Sequence, residues 1–122
     1  MAIRRLLGAL LLVLAGVLPA HAEVLPCPPT GLRAVAHEVI QVGAVAVGFT
    51  PAQLTRNVVA AYVSTETDTI RYWEDGTTPT ATVGHALVAG TSFYVCGSAM
   101  VKFLAISKNG GAVPTHVTFY ER

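Results

Sequence analysis

The 122 residues carry 12% charged and 52% hydrophobic side chains, the reverse of the balance that keeps a chain disordered. The length suits one domain and is too short for a barrel of alternating strands and helices, which needs roughly 200 residues. The formal net charge is +1 and no stretch concentrates basic residues, which argues against phosphate-driven nucleic-acid binding and against adhesion to an anionic bilayer.

The chain opens with Arg4 and Arg5, followed by an uncharged apolar run from Leu6 to Leu18. Pro19 breaks the run, and Ala20-His21-Ala22 puts small residues three and one positions before Glu23. That layout predicts a secretory signal peptide over residues 1–22. The rival, a membrane anchor, needs about 20 apolar residues, more than the run supplies. A lipid anchor does not fit, because Leu25-Pro26 precedes the first cysteine. Removing the signal leaves about 100 residues, with one more acidic than basic side chain. The chain therefore reads as exported, to the periplasm or the medium. Its two cysteines, Cys27 and Cys96, suggest a bridge in an oxidising compartment, with two buried free thiols as the alternative. A bridge would close a loop of about 70 residues and restrict the unfolded state by roughly 4 kcal/mol.

Residues 23–31 form a proline-rich lead-in that cannot be helical. From residue 32 to 122 the chain shows short apolar runs of period two between turn residues. The expected strands are Leu32 to Val42, a second run with Val45, Val47 and Phe49 on one face, Val58 to Thr65, Ile70 to Trp73, His85 to Val88, Ser92 to Cys96, Val101 to Ser107 and Thr115 to Tyr120. PAQLTRN at 51–57 can form one helical turn, since Pro51 suits a first helical position. Asn109-Gly110-Gly111 looks like a hairpin connection between the last two strands. Seven or eight strands at roughly ten-residue spacing predict an all-β antiparallel sandwich, Ig-like or jelly-roll-like, after an N-terminal signal helix.

Catalytic equipment is sparse. Serines 64, 92, 98 and 107 and histidines 37, 85 and 116 sit in no strained strand-to-helix elbow. The carboxylates Asp68, Glu74 and Asp75 flank one strand and could meet around calcium, but turn formation explains Asp75-Gly76 and loop capping explains Asp68. The histidines lack metal-ligand spacing. No catalytic residue, metal or cofactor is assigned. The adjacent aromatic pairs Tyr72-Trp73, Phe93-Tyr94 and Phe119-Tyr120 must point to opposite faces of their strands. One of each enters the core and the other faces outward, where it can pair across strands or stack on a ligand. The candidate binding residues are Arg71, Tyr72, Trp73 and Tyr94. Arg71 is expected to hold the following turn by bonding its carbonyls, because a long irregular turn needs its backbone groups satisfied.

The stretch from Ile70-Arg71-Tyr72 through Asp75-Gly76, Pro79-Thr80 and Gly84 to Leu87 resembles a family of short phage and prophage proteins. These share an I-R-Y-x-x-D-G-x-x-P-T-x-x-x-G-x-x-L pattern and a closing strand that ends in aromatics, here Phe119-Tyr120. The resemblance spans roughly residues 42–120 and implies a small β-sandwich encoded among virion structural genes. Part of the stretch is also similar to the Ig-like module at the ends of bacterial sugar hydrolases, likewise a sandwich without catalytic residues. A signal peptide and two cysteines depart from the phage pattern, since a virion part is assembled in the cytoplasm. The expected function is thus non-catalytic: a phage-derived virion-type or assembly subunit carrying an export signal. The alternative is a secreted or periplasmic carbohydrate- or protein-binding module. The expected partners are a protein or a second copy, then carbohydrate, with no nucleic acid. Membrane contact is expected only through an uncleaved N-terminal segment.

Overall fold

The computed structural model describes residues 26–55 and 57–122, so the expected signal at 1–22 lies outside the described residues. Seven antiparallel strands form two stacked sheets. The large sheet has the order β1 (Arg33–Val42), β7 (Val113–Glu121), β2 (Val58–Thr65), β5 (Ser92–Cys96). The small sheet has the order β4 (His85–Leu87), β3 (Ile70–Trp73), β6 (Leu104–Ser107). The sandwich expected from period-two patterning is the observed architecture.

Alternation decides which side chains meet between the sheets. On β7, Val113, Thr115, Val117 and Phe119 are buried, while Pro114, His116, Thr118 and Tyr120 face outward. On β2, Ala61, Val63 and Thr65 are buried, with Tyr62 and Ser64 between them. Three rings fasten the centre: Phe49 stacks on Phe103 at 4.5 Å and meets Phe119 edge-on at 5.7 Å, geometries that aromatic quadrupoles favour. Pro114 is tolerated inside β7 because the ladder to β2 stops at Thr115, so no amide hydrogen is wanted there.

The bridge between Cys27 and Cys96 is formed, across a sequence separation of 69. It ties the proline-rich lead-in to β5, an outer strand of the large sheet. The helical turn expected at 51–57 appears as a 3-10 turn at Pro51–Gln53.

Three expectations are corrected. Residues 101–103 are not strand. Gly97 turns the chain at φ 60, and α1 (Ala99–Lys102) follows, dropping Met100 into the core. Alanine, methionine and lysine all favour this helical turn. Second, Asn109-Gly110-Gly111 does not close a hairpin. β6 pairs with β3, and β7 pairs with β1 and β2, so the link crosses between sheets. The buried faces of β6 and β7 meet across the core instead of side by side. Third, the run around Val45 is no strand. The chain bends at residues 44–45 to pass between sheets, leaving Val45 82% exposed. Only Val47 bridges to Ala105, through two backbone hydrogen bonds of 3.0 and 2.9 Å. Gly48 permits this approach, because a Cβ there would lie 2.7 Å from the Phe103 carbonyl oxygen.

Candidate functional site

The 70–87 signature assembles a self-supporting corner of the small sheet. Ile70 and Leu87 are register partners and both are buried. Tyr72 turns inward and stacks on Phe93 at 4.3 Å. The Asp75 carboxylate accepts the Thr77 amide at 2.9 Å, and the Gly76 amide, at φ 88, donates to the Lys102 carbonyl at 3.1 Å. Pro79 is buried. Gly84, at φ +134, presses against it and against the Tyr72 backbone, where a Cβ would stand only 3.2–3.3 Å from its neighbours. Arg71 donates through its Nη1 to the Gly84 carbonyl at 3.1 Å, immediately before β4.

Trp73 points to the opposite face from Tyr72 and meets His85 edge-on at 5.0 Å. Burial raises the Glu74 carboxyl above its ordinary value, partly opposed by the His85 charge. Burial, then the Glu74 charge, raises the Tyr72 phenol. The carboxylates Asp68 and Asp75 lie at opposite ends of β3 and are each engaged. Asp68 accepts two hydrogen bonds from the Asn109 amide, which with the Thr69 amide lower its pKa. The Thr77 amide does the same for Asp75. Among the described residues no group of three or more His, Cys, Asp or Glu could hold a metal ion, and no helix is long and apolar enough to cross a membrane.

Tyr94 belongs to a different surface, so Tyr72, Trp73 and Tyr94 form no common strip. As the outward neighbour of Phe93, it lies on the exposed face of the large sheet. Here β1, β7, β2 and β5 align their outward residues in rows. His37, Thr118, Tyr62 and Tyr94 make one row, and Val39, His116, Ser64 and Ser92 the next. Tyr120 stands in the row on the other side of the first, beside Ala60, whose further partner is Cys96. Tyr62 and Tyr94 rings are 4.8 Å apart, and Tyr94 and Tyr120 are 6.1 Å apart. The Tyr62 and Ser92 hydroxyls share a hydrogen bond of 2.5 Å. Burial, then the two neighbouring phenols, pushes the Tyr120 phenol upward, so it stays neutral at neutral pH. No Lys, Arg, Asp or Glu interrupts these rows. The Arg33–Glu121 ion pair sits at the end of the β1–β7 ladder. At the other end a shallow pocket of about 300 Å³ opens among Tyr62, Ser64, Glu66, Thr91 and Ser92. Ser64 and His116 are register partners on this open face.

The sequence singled out Tyr94 but not Tyr62, Tyr120 or Ser92. Strand parity already marks each as outward. Their lateral alignment depends on which strands become neighbours, and no local signal carries that. The chain matches no known protein family, no curated protein and no solved structure.

Proposed function

We propose that this chain is an exported, non-catalytic structural or binding protein, a small phage-derived subunit that works by assembling with itself or with a protein partner. One observation carries this reading. Three side chains of the 70–87 signature are engaged internally: Arg71 on the Gly84 carbonyl, Asp75 on the Thr77 amide and Tyr72 on Phe93. A signature used in this way specifies a scaffold. The Cys27–Cys96 bridge suits an oxidising compartment. β1 adds a means of assembly. It is ten residues long and, among the described residues, has a neighbouring strand on one side only, and an unpaired strand edge is a template for strand addition. Light scattering over a wide concentration range tests the reading. A mass above the monomer that grows with concentration is expected, and a strict monomer at the highest concentration counts against it.

A second reading, a secreted or periplasmic carbohydrate- or protein-binding module, is favoured by the uncharged aromatic face of the large sheet. It requires a ligand to engage side chains there without being transformed.

A further inference from the structure

We propose that the outward face of the large sheet binds a neutral, extended glycan chain, with Tyr62, Tyr94 and Tyr120 as the stacking surface and the pocket beside Ser64 and Ser92 as the seat of one sugar unit. This rests on the reading of the chain as a non-catalytic binding module and names its ligand.

Charge restricts the occupant first. The rows from His37 to Tyr94 and from Val39 to Ser92 hold no lysine or arginine, so a polyanion, whether nucleic acid or acidic polysaccharide, finds no fixed cation to pair with. Glu66 at the pocket adds negative charge, which repels anions and offers an acceptor to a sugar hydroxyl.

Size restricts it next. Strands about 4.8 Å apart and rows about 6.8 Å apart give a platform of roughly 20 by 20 Å, about 400 Å². A stable protein–protein interface covers about 800 Å² on each partner. The platform is thus about half of what a folded partner requires, while a span of roughly 20 Å accommodates a chain a few sugar rings in length.

Chemistry agrees with both. Pyranose rings present apolar C–H faces and a rim of hydroxyls. The tyrosine rings supply the apolar surface, with a polar tip on each. Ser64, Ser92, Thr118, His37 and His116 supply hydrogen-bonding groups around them. Tyr62 is held in place by its hydrogen bond to Ser92, so less side-chain freedom is lost on binding.

The test titrates the purified protein calorimetrically with cellohexaose, xylohexaose, maltohexaose and chitohexaose at millimolar concentration. Binding of at least one is expected. Tyr94→Ala should weaken it by about tenfold or more, and Ser92→Arg, an exposed substitution on an outer strand, should abolish it with an unchanged circular dichroism spectrum. Trp73→Ala, on the other sheet, should leave it intact. No heat with any of the sugars overturns the proposal, as does binding that survives Ser92→Arg. Binding lost in Trp73→Ala but kept in Tyr94→Ala also overturns it. A change of oligomeric mass in Ser92→Arg without sugar binding overturns it in favour of a second copy as occupant. Chromatography of the sugars afterwards separates the two ideas: intact sugars keep the non-catalytic reading, and shorter products defeat that reading instead.

Discussion

The corner of the small sheet around Arg71 and the outer face of the large sheet use similar side chains to opposite ends. In the corner, an aromatic, a cation and a carboxylate all turn toward their own chain: Tyr72 toward the core, Arg71 to Gly84, Asp75 to Thr77. On the large sheet, Tyr94 meets both Tyr62 and Tyr120, and the three rings leave their outer sides to solvent. A dense local pattern is what an irregular loop requires, because each of its backbone groups needs its own partner. A flat sheet satisfies its backbone through the ladder, so its outward positions are free for contact with other molecules. The more conspicuous sequence feature is therefore the structural one.

Breaking the bridge should have the largest effect, because it joins the lead-in to the outer strand that carries Tyr94. Replacing Cys27 and Cys96 with serine is expected to lower unfolding free energy by about 4 kcal/mol on the chain-entropy account, measured by urea denaturation. The two tyrosine environments should then separate cleanly. Tyr72→Ala removes a ring packed on Phe93 and Phe103 and should cost about 3 kcal/mol, whereas Tyr120→Ala removes a cross-strand contact and should cost roughly 1 kcal/mol or less. Equal losses in thermal unfolding would erase the distinction between the two regions. Arg71→Ala leaves the Gly84 carbonyl without its side-chain donor and should cost about 1–2 kcal/mol. Hydrogen exchange in residues 74–84 should rise with it, and unchanged exchange would deny Arg71 its role in holding the loop.

The smallest effect concerns Glu74. Burial raises its carboxyl above the ordinary 4.5, so the folded state holds the proton more tightly than the unfolded one. Its favourable contribution is present below the unfolded value and disappears as the pH rises through the folded value. Glu74→Gln should therefore raise the melting temperature slightly at neutral pH and leave it unchanged below about pH 4. A lowered melting temperature at neutral pH would show that the carboxylate stabilises the corner instead.

The elements with clean alternation were legible as strands. β2, β3 and β5 keep their expected bounds, and β7 runs slightly beyond its expected ends. Legibility failed at crossings between sheets: the Asn109-Gly110-Gly111 link reads as a hairpin turn, and two apolar runs read as strands. Val45 is exposed because the chain bends there, and Met100 is buried from a helical turn although its neighbours read as strand. Apolar character records that a residue can be buried, not which geometry buries it.

Period-two patterning and turn chemistry determined the class of this protein, because alternation acts between residues a few positions apart. Two cysteines in a chain otherwise suited to export raised the bridge as a pairing, which the fold completes. Strand order was decided only in three dimensions. β7 lies between β1 and β2, and that placement aligns His37, Thr118, Tyr62 and Tyr94 into one row from four separate segments. Lateral neighbours are chosen by how two sheets close over a shared core, a long-range packing outcome that no local stretch of sequence encodes.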